Sequence, residues 1–254
     1  MPELPRDPAL DLLAERYRLS DHAAGQLERL LTVLVSDRLA PTAIQAPRRA
    51  VDDHLADALV ALELDVVRAA RTVADLGSGT GVPGLPLAIA KASARVWLVE
   101  SNRRRCAFLE RAARACGVAN VTVIRSRAES WSEGLGRCEL VTARALDSLT
   151  VVAEYAAPLL RIGGALVAWR GRRDRAAEAA ACAAMSVLGL EPEQVRRVRP
   201  FDGAEHRHLH VILKVRETPG RFPRREGMAR KRPLDERLES RSSDSLQPSD
   251  RRRR

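Results

Sequence analysis

Val73–Gly84 reads VADLGSGTGVPG, and this stretch decides the fold. The apolar run from Thr72 to Leu76 has strand character and breaks into closely spaced glycines. The apolar segment Leu85–Lys91 behind it has helical character. A strand that turns through glycines into a helix brings free helix N–H groups and an approachable backbone up to a ligand. Asp75 stands just before the turn, where its carboxylate can receive a cationic amino group and would repel a pyrophosphate. That favours S-adenosylmethionine (SAM), with Gly77, Ser78, Gly79, Gly81 and Val82 forming the loop. Gly79–Gly84 also satisfies GxGxxG, so a dinucleotide site and a ligand-free glycine turn stay open as alternatives. Glu100, closing VWLVE, can accept both ribose hydroxyls of either cofactor.

Outward from this turn the pattern is strand–helix alternation. Strands are expected at Ala94–Val99, Val121–Ile124, Glu139–Ala143 and Ala165–Trp169, with helices at Arg103–Cys116, Leu149–Leu160 and Arg175–Leu188. Two consecutive extended stretches follow, Glu193–Val198 and His208–Val215. The expected fold is α/β: a mostly parallel, Rossmann-like sheet of the class I SAM-methyltransferase type with an antiparallel edge hairpin. Residues 1–70 form a helical N-terminal extension, 71–216 the SAM-binding domain and 217–254 a basic extension, low in complexity and expected to be disordered from Ser240. In the first segment Asp21 is expected to cap a helix carrying Leu27, Leu30, Leu31 and Leu34, and Pro41 and Pro47 separate it from a second helix, Arg49–Val67.

Net charge is +10 over 254 residues, nearly all from Arg, because Lys occurs only at 91, 214 and 231. From Arg216 onward 13 Arg or Lys face 7 acids. Base composition of a genome would not concentrate charge there, so a nucleic-acid partner is favoured. Aromatic residues are only 3%, too few for a base-stacking surface, and Trp97, Trp131 and Trp169 read as packing. Cys106, Cys116, Cys138 and Cys182 form no CxxC pair and read as small core residues; no metal site is expected, the alternation of His206, His208 and His210 included. With no apolar run approaching roughly 20 residues and no apolar leader, the protein is expected to be cytoplasmic and without a membrane partner. A monomer is expected.

Several blocks resemble one family in order and spacing: VADLGSGTGVPGLPLAIA, LVESNRRRCAFLERAA, IRSRAES, VTARALDSL, PLLRIGGALVAWRG, the RHL of Arg207–Leu209 and TPGRFPRREGMARKRPL. They are similar to the bacterial RsmG (GidB) family, 16S rRNA guanine-N7 methyltransferases, from about Arg49 to Leu234. The resemblance implies SAM contacts at Gly77 and Val82, at Ala128 and Glu129 after the third strand, and at Arg144 after the fourth, with 16S rRNA or the small ribosomal subunit as partner. Arg144 is the candidate catalytic residue, touching both cofactor and nucleotide; a surface arginine past a strand is the alternative. The chain departs from the family at Ala40-Pro41-Thr42-Ala43-Ile44 (usually Asn-Leu-Thr), at Arg170-Gly171 (usually Lys-Gly) and at Asp53-His54 (usually Arg-His). His54 and Asp57, three apart on one helical face, read first as a satisfied surface pair and second as holders of the target base. A SAM enzyme acting on a protein or small molecule, and a nucleotide-binding module without catalysis, are the other two readings.

The basic tail is expected to grip RNA phosphates and to be dispensable for the cofactor. Gly77→Asp is expected to abolish SAM binding by placing a charged side chain at the point of close approach; unchanged affinity in calorimetry would remove the cofactor from this turn.

Overall fold

The computed structural model describes residues 7–37, 39–42, 44 and 46–234. Seven strands form one sheet: β1 (Thr72–Leu76), β2 (Arg95–Glu100), β3 (Val121–Arg125), β4 (Cys138–Arg144), β5 (Leu160–Arg170), β6 (Leu190–Val198) and β7 (Arg207–Lys214). Their order is β3-β2-β1-β4-β5-β7-β6. The first five run parallel, and β7 lies antiparallel between β5 and β6. The strand order reverses at β1 and β4, and their carboxyl ends open the crevice where such sheets take ligands. The expected edge hairpin is present, beginning three residues earlier than expected at Leu190.

Alternate strand residues feed two cores, one on each face of the sheet. Val73, Leu140, Ala165 and Val167 point to one face, where they meet α1 (Pro8–Arg16), α2 (Asp21–Ser36), α6 (Gly84–Ala90) and α7 (Arg103–Cys116). Ala74, Val141, Leu166 and Ala168 point to the other, against α8 (Leu149–Ala156) and α9 (Arg175–Val187). The N-terminal helices therefore share the sheet's own core. Gln26 Nε2 of α2 donates to the Gly117 carbonyl at 2.8 Å, and Arg111 of α7 pairs with Asp37 at 3.1 Å. Phe222, Ala229 and Leu234 enter the second core, so the basic extension is docked as far as Leu234; the expectation of disorder from Ser240 lies outside the described residues.

Three local expectations change. Ser20, not Asp21, caps α2, because its Oγ accepts from the Ala23 N–H at 3.2 Å. Asp21 becomes the first helical residue, where its charge suits the helix dipole. The single helix expected at Arg49–Val67 is broken into five pieces: α3 (Pro47–Ala50), a π turn Val51–Ala56, α4 (Asp57–Leu59), a 3₁₀ turn Val60–Glu63 and α5 (Asp65–Ala69). Every residue from His54 to Ala61 is buried, so one amphipathic face could not serve; the wide π turn rotates polar and apolar residues alike into the protein. Cys182 is exposed, whereas Cys106, Cys116 and Cys138 are buried as expected, and all four are free thiols.

Candidate functional site

The turn after β1 is anchored sideways. Gly77 N and Ser78 N both donate to the Val99 carbonyl at 2.9 and 3.2 Å, and Gly79 N donates to Glu100 Oε2 at 3.1 Å. Gly77 has φ +64°, and a Cβ there would stand 2.5 Å from Leu146 Cδ1. Any side chain at this position is thus strained and meets the loop after β4. Gly84 lets α6 press onto the sheet: a Cβ would lie 2.4 Å from Leu98 Cδ2 and 2.8 Å from Asp75 Oδ2.

A cavity of about 220 Å³ lies over the ends of β1 to β4. Gly77, Glu100, Ala128 and Glu129 line it, joined by Leu146 and Arg230. Asp75, Ser78, Gly79, Gly81, Val82 and Arg144 do not line it. Glu100 is buried, and besides Gly79 it holds the Asn102 N–H through Oε1 at 2.8 Å. Each oxygen retains a lone pair for a further donor. Asp75 is fully enclosed. Thr142 Oγ1 donates to its Oδ1 at 2.8 Å, while Oδ2 has no hydrogen-bond partner among the described residues. Burial pushes its carboxyl up to about 6, against the opposing hydrogen bond from Thr142. Asp75 thus stands behind the glycine turn, beside Ser78 and Gly84, and not in the wall of the cavity. A roomier cleft, about 690 Å³, lies by Lys91 at the amino ends of the strands, away from these acids.

Arg144 faces a second pocket, about 370 Å³, on the other side of its own loop. Its Nη1 donates to the Asp53 carbonyl at 2.7 Å and to Asp57 Oδ2 at 2.9 Å. Nη2 stands 3.4 Å from His54 Nδ1, and Thr42 Oγ1 lies 3.0 Å from His54 Nε2. Burial, reinforced by Arg144, drives the His54 ring down to about 4, so it is neutral near pH 7. A neutral ring facing a guanidinium accepts at Nδ1 and therefore carries its proton on Nε2. The reading of His54 and Asp57 as a surface pair is corrected: both are buried, at 5% and 4% exposure. Ala145, at φ +52°, is the residue common to both pockets. A non-glycine residue in that conformation is held there by its surroundings.

The remaining candidates separate. His206, His208 and His210 have three different neighbours, Arg172, the Gly171 carbonyl and Glu178. Among the described residues no group of three His, Cys, Asp or Glu could hold a metal. Trp97 and Trp131 pack edge to face at 5.5 Å, and Trp169 donates from Nε1 to the Asp57 carbonyl at 2.7 Å. The sequence pointed to no site role for Leu146 or Arg207 and only to packing for Trp169, since their meeting at the site depends on how strands far apart in sequence are paired.

Comparison with known proteins gives the class. Residues 26–209 match the family described as rRNA small subunit methyltransferase G (GidB). The chain belongs to this family. It is 40% identical over 221 residues to the Ribosomal RNA small subunit methyltransferase G of Chloroflexus aggregans, covering 85% of this chain and 92% of the relative. The protein of the same name from Rubrobacter xylanophilus is 40% identical over 194 residues, 74% of each chain. The fold resembles that of a variant 16S rRNA (adenine(1408)-N(1))-methyltransferase from Catenulisporales acidiphilia (TM-score 0.51, 17% identity, 60% of this chain and 89% of that one). It also resembles the Burkholderia thailandensis 1,6-didemethyltoxoflavin-N1-methyltransferase, solved with S-adenosylhomocysteine (TM-score 0.50, 17% identity, 73% and 88%). The chain is thus a SAM-dependent methyltransferase of the class I fold.

The GidB chain's basic extension has a part in the site that charge counting did not suggest. Gly227 N donates to Glu129 Oε1 at 2.9 Å, Arg230 pairs with Asp147 at 2.6 Å and lines the 220 Å³ cavity, and Arg224 clasps buried Glu154 through two bonds of 2.6 and 2.5 Å. The expectation that the extension is dispensable for the cofactor is therefore revised. Arg224→Ala leaves the Glu154 carboxylate buried and unpaired, and is expected to cost about 3–5 kcal/mol in urea unfolding and to weaken SAM binding. A loss below about 1 kcal/mol with SAM affinity intact would mean that the extension docks through its apolar residues alone.

Proposed function

We propose that this chain transfers the methyl group of SAM to N7 of a guanine in 16S rRNA of the small ribosomal subunit. The observation that carries the reading is the pair of pockets divided by Ala145, one over the glycine turn and one lined by arginines, in a member of the GidB family. When bound, SAM supplies an activated methyl on a sulfonium. Gly77 and its loop would receive the amino-acid part of the cofactor, with Asp75 countering its ammonium group from beneath. Glu100 would hold the ribose and Ala128-Glu129 the adenine edge.

Guanine N7 has a lone pair and no proton to lose, so no general base is needed for its attack. The work of the protein is alignment and exclusion of water around the reacting atoms. Arg144 belongs to this work as the residue at the wall between donor and acceptor, held by Asp53 and Asp57. Arg170, Arg172 and Arg207 around the second pocket suit RNA phosphates, and affinity for RNA is expected to fall with salt.

Labelled SAM and small subunits lacking the modification test the proposal. Label on N7 of one 16S guanine is the expected result; label on another base, or none despite tight SAM binding, would refute it. A pH prediction follows from Asp75. Its ionised form suits a cationic ligand, so SAM affinity is expected to hold above pH 6 and to fall by up to about tenfold per unit below. The apo fold responds oppositely: a carboxyl raised from 3.8 to about 6 favours folding as pH falls through that window. Asp75→Asn should bind SAM weakly and without this pH dependence; a wild-type affinity that stays flat from pH 7.5 to 5 would show that Asp75 plays no such part.

A further inference from the structure

Asp57 stands at the second pocket with one buried carboxylate oxygen that faces the Arg207 guanidinium but accepts no hydrogen bond. It is 4% exposed, and its Oδ2 is taken by Arg144. Its Oδ1 has no hydrogen-bond partner among the described residues; Arg207 Nε lies 3.3 Å away as an ion pair, outside hydrogen-bonding geometry. The position is held from three directions: Trp169 on β5 donates to the Asp57 carbonyl, Arg144 on β4 holds the carboxylate, and the preceding π turn fixes the helix that bears it. Burying an anionic acceptor with an open lone pair opposes folding. Placed on a pocket that shares Ala145 with the cofactor cavity, that atom points to a donor brought by the methyl acceptor.

The identity of that donor rests on the function proposed above. Adenine N7 carries the same lone pair as guanine N7, so attack at N7 does not by itself separate the two bases. Their far edges differ. Guanine offers adjacent N1–H and N2–H donors, whereas adenine offers a bare N1 lone pair beside its amine. A base whose N7 faces the methyl turns that edge to the opposite wall, and enzymes that draw a base out of its stack read it there. We propose that Asp57 is the specificity-determining residue: its Oδ1 accepts from the N2 amine on the Watson–Crick edge of the target guanine, while Arg144 positions the carboxylate. An adenine in the same place would set its N1 lone pair against this oxygen. Arg207, with 39% of its side chain exposed, turns to a phosphate or to O6 as the base enters.

The test is a cycle between residue and base. Small-subunit RNA is prepared with guanine or inosine at the mapped position; inosine lacks only the N2 amine. For the wild-type enzyme kcat/KM is expected to fall about 10- to 100-fold on inosine. For Asp57→Asn and Asp57→Ser, checked for intact SAM affinity, the two RNAs should react within about twofold of each other, both slowly. A purely structural role for Asp57 would slow both RNAs by one factor and keep their ratio, which would overturn the proposal. So would a wild-type enzyme indifferent to inosine, a result that stands even if neither variant folds. Failure of the wild-type enzyme to methylate the guanine RNA would instead overturn the proposed function, and this proposal with it.

Discussion

The carboxyl edge of the sheet depends on one tie, the hydrogen bonds from the turn after β1 to the end of β2. Val99 gives its carbonyl to two consecutive N–H groups, and Glu100 adds its side chain to a third. These bonds hold three residues of the loop across the neighbouring strand, where no regular ladder continues. The positive φ of Gly77 and the close seat of α6 at Gly84 follow from that path. Leu146 then packs over Gly77, so the loop after β4 is placed by the loop after β1. That loop begins at Ala145, directly after Arg144 at the end of β4, and so forms the wall between the two pockets.

Charge in this protein divides between holding the fold and facing outward. Arg224 on Glu154, Arg111 on Asp37 and Arg144 on Asp57 join segments distant in sequence. The pairs on buried Glu154 and Asp57 act less through net Coulomb energy than through the penalty for leaving one member alone. Of the tail's arginines, Arg224 and Arg230 are tied to Glu154 and Asp147. The docked portion reaches the 220 Å³ cavity through Arg230, and its apolar residues Phe222, Ala229 and Leu234 join the second core.

The fold was legible because its signals are local and repeated. The apolar run into glycines pointed to β1 and the start of α6, and the alternation that followed to a mostly parallel sheet with an antiparallel edge hairpin. Gly77 and Glu100 could be named from the residues at strand ends, whereas Ala128 and Glu129 came from the family resemblance. What remained hidden was long-range. Nothing around Arg49–Val67 signals a π turn, since its causes are the partners of His54 and Asp57 on other strands. The burial of Asp57 was invisible for the same reason: three apart on a helix, it and His54 look like a solvated pair until Trp169 and Arg144 are brought over them.

This arrangement also explains why chemistry and selectivity can be housed separately. Attack by a ring nitrogen that already bears a lone pair asks the protein for little beyond distance and direction, which on the proposed reading the glycine turn and strand-end acids would supply. Choice among bases cannot come from the same atoms, because purines share their N7. It has to be built across the base from the methyl, in a place dry enough for one hydrogen bond to count. The broken helix before β1 supplies such a place: by rotating polar residues inward it brings a carboxylate to the acceptor pocket without displacing any part of the cofactor loop. A helical extension that shares the sheet's core is then no accessory to the methyltransferase fold, since it furnishes the far wall against which the acceptor is read.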